Sequence, residues 1–256
     1  QNPDGTINAG NLESPPDTAF LLEPLCVGHA LLANQTAMNS TNVLAGLEDF
    51  ILRAAEALTN GGVHTPNHRW VVCAALARIY KRYPEARYIQ RIEDWLGEGI
   101  DLDRDGHFSE RSRNYSQVVV RSLITLERLL GYTNLLDPVR KHLQMTYYYM
   151  EPDGELVTTD SRRQDQFMRI SILSYYRQYR YMAILEGDGE FASITRNMEK
   201  LEGFGRAVLD HDLVYFMEEP LLQRKLPDNS PVPLQYEKLF TTSHLLRIRR
   251  GATSLT

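Results

Sequence analysis

From Thr18 to about residue 211 one pattern fills the chain: apolar residues recur three, four and seven positions apart, with scarcely a stretch that alternates as a strand does. Val119, Leu123, Leu126 and Leu130 illustrate the spacing, which puts all four side chains on one face of a helix. Such segments fall at about 18–35, 40–59, 66–82, 85–98, 114–130, 134–150, 161–186 and 190–211. Between them stand breakers such as Asn60-Gly61-Gly62, Tyr83-Pro84 and Asp153-Gly154, whose glycine and proline disfavour helix. A helix with one apolar stripe has to bury it on a neighbour. Serial segments joined by alternately short and longer loops therefore predict antiparallel hairpins arranged side by side. The expected class is all-α, with at least seven helices.

Both ends depart from this pattern. Residues 1–17 are polar and turn-rich, with Asn2-Pro3-Asp4-Gly5 and Ser14-Pro15-Pro16-Asp17 as breakers and Asp17 placed to cap the first helix. Toward the other end Pro220, Pro227, Pro231 and Pro233 exclude long helices, and Ser243–Gly251 reads as an extended segment with a turn. Ser254-Leu255-Thr256 resembles the start of another strand. An isolated hairpin is marginal in water. The expected organisation is a helical domain over 1–235, with 236–256 as the start of a β-sandwich region or a linker. The chain is expected to be cut near a domain boundary or to be the N-terminal part of a longer protein.

Charge narrows the function classes. The net charge is -5, and the 28 Lys and Arg are spread along the chain instead of forming a basic tail, which argues against generic nucleic-acid binding. A local arginine cluster can still make a positive cleft on an acidic protein. No run of about 18 apolar residues exists to span a membrane. Cys26 and Cys73 lack metal-type spacing and read as buried free thiols. No phosphate-cradling glycine loop, nucleophile elbow or zinc signature is present, which disfavours nucleotide and serine-hydrolase chemistry.

Two segments concentrate reactive side chains at the mouths of helices: His64-Thr65-Pro66-Asn67-His68-Arg69-Trp70, and Glu110-Arg111-Ser112-Arg113-Asn114-Tyr115-Ser116. Together they offer amide, imidazole, guanidinium and phenol groups, the inventory needed to neutralise a carboxylate and move a proton beside it. The proton α to a uronate carboxylate is weakly acidic, so its removal needs donors or cations to hold the developing enolate-like charge. A free phenol has a pKa of about 10, and guanidinium neighbours favour its ionised form. Arg69, Arg111 and Arg113 are the candidates for that neighbour. An Asn-His pair before a helix is also a common cap, and a tyrosine is usually core or rim. Only the joint pattern points to chemistry.

The stretches Asn67-His68-Arg69-Trp70 and Arg113-Asn114-Tyr115-Ser116, on an all-helical background, resemble the heparinase II/III-like polysaccharide lyases and their alginate lyase relatives. The resemblance implies an incomplete (α/α) toroid followed by antiparallel β-sandwich domains. It also implies roles: Asn67 and His68 neutralise the uronate carboxylate, and Tyr115 abstracts the C5 proton and returns one to the leaving glycosidic oxygen. A further family histidine usually comes from the β-sandwich, and His244 does not obviously match it. Arg69, Glu110, Arg111, Arg113, Arg163 and Gln164 are the expected substrate-binding residues, and an acidic polysaccharide or oligosaccharide is the expected partner.

Other readings stay open. Asp101, Asp103 and Asp105 with Gly106 imitate a calcium loop, but the twelfth position is Ser112 instead of a bidentate glutamate, and a solvated turn is preferred. No cofactor is expected otherwise. Ser161-Arg162-Arg163-Gln164-Asp165-Gln166 is expected to open the helix at 161–186, with Arg163 and Gln164 available to a sugar or a second carboxylate. The Tyr147-Tyr148-Tyr149 and Tyr175-Tyr176 runs are expected chiefly in the core. A glycoside hydrolase would need two carboxylates across the scissile bond, for which Glu110 with Asp165 or Asp17 are available. A non-catalytic carbohydrate-binding domain is the third alternative.

Overall fold

The computed structural model describes residues 1–34 and 41–256. The expected helix ends at 35 and 40 lie outside the described residues. Among the described residues the protein is mostly helical, at 58%, with ten helices and a small antiparallel sheet at the C-terminus. It divides into two compact units, Gln1–Ile100 with Ser122–Leu135, and Asp101–Arg121 with Leu136–Thr256.

In the first unit the helices are α1 (Pro15–Ala33), α2 (Thr41–Asn60), α3 (Pro66–Arg82) and α4 (Ala86–Gly97). Helix α1 starts earlier than expected, because Pro15 and Pro16 occupy its first turn, where a missing N–H costs nothing. Its cap is therefore Ser14, whose hydroxyl accepts from the Asp17 amide, and Asp17 sits inside the first turn. Helix α3 is buried almost throughout, from Asn67 to Ile79, and packs against α1, α2 and α4. Its Arg78 makes a buried ion pair with Glu23 of α1 at 3.5 Å, and the Thr125 hydroxyl lies 3.1 Å from the same carboxylate oxygen. The N-terminal loop is fastened to α2. Gly5 has φ 90, and a Cβ there would collide with the carbonyl oxygen of Arg53.

Helix α5 (Arg113–Leu130) gives its residues up to Arg121 to the second unit and the rest to the first. The second unit adds α6 (Leu136–Tyr148), a short hairpin of β1 (Glu155–Leu156) and β2 (Ile170–Ser171), and α7 (Tyr176–Glu186). It continues with α8 (Gly189–Met198), α9 (Phe204–His211) and α10 (Leu213–Glu218). Two expected long helices are shorter than the apolar spacing suggested. Residues 161–169 form turns, so the helix expected at 161–186 begins at Tyr176. The segment 190–211 breaks at the turn ending in Gly203, where φ is 79. Tyr147, Tyr149, Tyr175, Tyr176 and Tyr179 are all buried, and the aromatic runs serve the core.

Strands β3 (Gln235–Phe240), β4 (Leu245–Arg250) and β5 (Thr253–Leu255) form the antiparallel sheet in that order, with Lys238 opposite Arg247 and Ile248 opposite Leu255. Phe240 and Leu245 close a cluster with Met145, Tyr149 and Val157. Arg247, wholly buried, donates from Nε to the Tyr148 carbonyl at 3.0 Å and pairs with Glu151 at 2.8 Å. These contacts fasten the sheet to the end of α6 and meet the backbone acceptors that a helix leaves there.

Candidate functional site

In the first unit, Pro66 opens α3 and puts Asn67 and His68 in its first turn. Thr65, the cap, is extended and its side chain caps no backbone amide of the helix; its hydroxyl accepts instead from the Asn67 side chain, Nδ2, at 2.9 Å. Asn67 is wholly buried and His68 is 8% exposed. The His64 amide lies 3.4 Å from His68 Nδ1, the two imidazoles meet edge to face at 5.7 Å, and His64 Nε2 is 3.2 Å from the Ser14 hydroxyl. Asp17 accepts from the Asn11 side chain at 2.9 Å, and its carboxyl is held below the usual range by the hydroxyl of Ser14 and the amides of Asn11, against the effect of burial. Arg69 turns to Glu98 at 2.8 Å and stacks over Trp70. His64 belongs to the segment the sequence singled out, and Ser14 to the N-terminal loop expected to border the cleft; neither was given a role of its own.

In the second unit, the N-terminus of α5 presents Tyr115. The Ser112 hydroxyl accepts from the Tyr115 amide at 3.0 Å, and Asp165, reaching in from the 161–169 loop, accepts from the amides of Arg113 at 2.8 Å and Asn114 at 3.3 Å. The other Asp165 oxygen accepts from Ser161. A carboxylate at this end of a helix meets donors with no intrahelical partner and faces the positive end of the dipole, a contribution of about 0.5–2 kcal/mol. This capping keeps 161–169 from becoming helix, and it turns Arg163 and Gln164 toward Tyr115. The phenol, half-buried, donates to Gln164 Oε1 at 3.3 Å, and the Arg163 guanidinium lies 5.1 Å from its ring centroid. Arg163 also approaches Glu110 at 3.4 Å.

Two of the expected substrate-binding arginines, Arg113 and Arg111, are engaged with other parts of the second unit. Arg113 is wholly buried: Nη2 pairs with Asp160 at 2.6 Å, Nε donates to the Val157 carbonyl at 2.9 Å, and the group stacks 4.1 Å over Tyr149. Its position one residue after the Ser112 cap directs it into the unit's interior, away from solvent. Arg111, at φ 50, donates to the Thr242 carbonyl in the β3–β4 turn. Of the second unit's expected arginines, Arg163 is the one at Tyr115.

The calcium-like run has other work. Asp103 accepts from the amides of Asp105 and His107 at 3.0 and 2.9 Å, and the Thr242 hydroxyl lies 2.6 Å from Asp103 and 2.8 Å from Asp105. Asp101 is exposed. Among the described residues no group of three or more His, Cys, Asp and Glu is arranged to hold a metal ion. No helix among them is long and apolar enough to cross a membrane.

Sequence reasoning missed a buried polar cluster around Arg113. The Tyr149 hydroxyl donates to Asp160 at 3.0 Å, with His107 Nε2 and the Ser243 hydroxyl each 3.1 Å away. His142 donates from Nδ1 to the Gly106 carbonyl at 2.8 Å, and the Tyr175 hydroxyl donates to the Arg113 carbonyl at 2.9 Å. Asp105-Gly106-His107 was the visible signal, but the partners of His107 come from distant parts of the chain. Burial pushes His107 down to about 4, helped by the Arg113 charge and opposed by Asp160. Burial likewise pushes His142 down to about 3, against the Gly106 hydrogen bond.

Both folded values lie below the ordinary 6.5, so the unfolded chain binds more protons between the two. Stability from this cluster is complete above about pH 6.5 and is lost as pH falls toward 4 and 3. Urea midpoints should drop steadily over that window, while imidazole NMR signals of His107 and His142 stay in the neutral form near pH 5 in the folded protein. Titration of both rings near 6.5 in the folded state would contradict this.

No family model, curated protein or solved structure matches the chain.

Proposed function

We propose that this chain is the helical portion of a polysaccharide lyase, an incomplete (α/α) toroid that cleaves a uronate-containing acidic polysaccharide by β-elimination. What carries the reading is Tyr115: a half-buried phenol at a helix N-terminus, with a guanidinium over its ring and an amide oxygen on its hydroxyl. In this reading the phenolate form of Tyr115, its own proton given up to solvent, takes the C5 proton, and the phenol so formed gives a proton to the leaving glycosidic oxygen as the C4–O bond breaks. Arg163 adds positive charge near the phenol, and the family resemblance alone assigns the uronate carboxylate to Asn67 and His68. A substrate carboxylate that reaches the Asn67 amide replaces its bond to Thr65. Gln164 fixes the hydroxyl until substrate arrives.

Hydrolysis has less support. Its acid would have to come from Glu110 with Asp165 or Asp17. Asp165 is enclosed by three donors and Asp17 is held ionised by its amide and hydroxyl partners. The test is a series of acidic polysaccharides, alginate-like, heparin-like and glucuronan-like, followed by ultraviolet absorbance. Elimination leaves a conjugated double bond at the new non-reducing end. A rise on at least one uronate polymer is expected; new reducing ends with no absorbance would overturn the proposal in favour of hydrolysis.

A further inference from the structure

Four non-glycine residues of the described chain have positive φ: Glu13, Arg111, Phe167 and His244. Phe167 differs from the other three in chemistry. It sits at φ 61 with 76% of its surface exposed, and Met168 beside it is 54% exposed. A side chain with a Cβ resists the left-handed region, and a phenyl ring left in water forgoes the stabilisation that burial would bring. Both penalties fall on one residue.

The backbone that displays this ring is tied down on each side. The Met168 amide donates to the Asp165 carbonyl at 3.0 Å, the Met168 carbonyl accepts from the Thr158 hydroxyl at 2.9 Å, and the Gln166 side chain donates to the Thr159 carbonyl at 2.9 Å. Asp165 is anchored on the amides of α5. The same loop supplies Arg163 and Gln164 to Tyr115. Phe167 follows Gln164 by three positions, which limits the distance between their Cα atoms to roughly 11 Å.

We propose that Phe167, with Met168 next to it, is a stacking platform for a pyranose ring of the substrate, one or two sugars from the bond beside Tyr115. The C–H face of a sugar ring is apolar and slightly positive, and it suits the negative face of an aromatic ring. The proposal rests on the lyase reading for the identity of the substrate, and on the loop's geometry for its place.

The experiment compares the parent chain with Phe167→Ala, Phe167→Trp and Phe167→Gly on uronate oligosaccharides of increasing length, recording binding, KM, kcat and melting temperature. Phe167→Ala should raise KM and Kd for the longer oligosaccharides about tenfold with kcat little changed. Phe167→Trp should bind as the parent does. Phe167→Gly should lose the affinity yet melt no lower than the parent, because glycine is at ease at positive φ. Parental KM in Phe167→Ala, or a marked fall in melting temperature for Phe167→Gly, overturns the platform and leaves the lyase reading standing. Binding that depends on Phe167 without any unsaturated product supports the platform and overturns the lyase reading. A parent that binds no oligosaccharide of the series overturns both.

Discussion

Tyr115→Phe should lower lyase turnover by about 10²–10⁴-fold while leaving folding and oligosaccharide affinity nearly unchanged. The substitution removes one oxygen, whose hydrogen bond to Gln164 is an exposed contact of 3.3 Å, so little stability goes with it. The ring remains for Arg163 to stack on. Asn67→Ala or His68→Ala should behave differently, lowering turnover and also weakening binding, because those groups hold a carboxylate that is charged before the reaction starts. Kinetics on a substrate the parent cleaves, with circular dichroism as the folding control, separates the two patterns. Near-parental turnover by folded Tyr115→Phe would remove Tyr115 from the chemistry.

Arg113→Met should be the most damaging substitution for stability. The guanidinium is wholly buried and pairs with Asp160, a carboxylate that also receives the Tyr149 hydroxyl. Removing the cation leaves a buried carboxylate without its counter-charge, a loss of about 3–5 kcal/mol where whole domains commonly have 5–15. Neutralising the partner as well, in Arg113→Met with Asp160→Asn, should recover part of that loss, since the uncompensated charge is then gone. Urea denaturation of the two variants measures this. A loss under about 1 kcal/mol for the single substitution would show that the buried pair does not organise the second unit.

The helices were legible wherever apolar spacing and local breakers agreed. Pro66 at the start of α3 and the Val119 to Leu130 stripe of α5 needed nothing beyond their own segments. The C-terminal turn of extended structure was also visible, in the prolines before it and the alternation of β4. The 161–186 segment misled because its first half is governed by a tertiary contact. Asp165 is worth more on the N-terminus of α5 than inside a helix of its own, and no local propensity records that. The roles of the arginines were hidden for the same reason. Arg113 and Arg163 are identical as letters, yet one pairs with Asp160 in the interior and the other stacks on Tyr115. The motif singled out Tyr115 and the following segment offered Arg163, but the stacking of the one on the other needed the loop in place.

The most direct measurement is the mass of the products from a defined uronate oligosaccharide. Elimination breaks the C4–O bond and removes the C5 proton with no water added, so the two product masses sum to that of the substrate. Hydrolysis would make them sum to the substrate plus one water. The account predicts the first result for the parent chain and near absence of product for Tyr115→Phe; products carrying the extra water would contradict it.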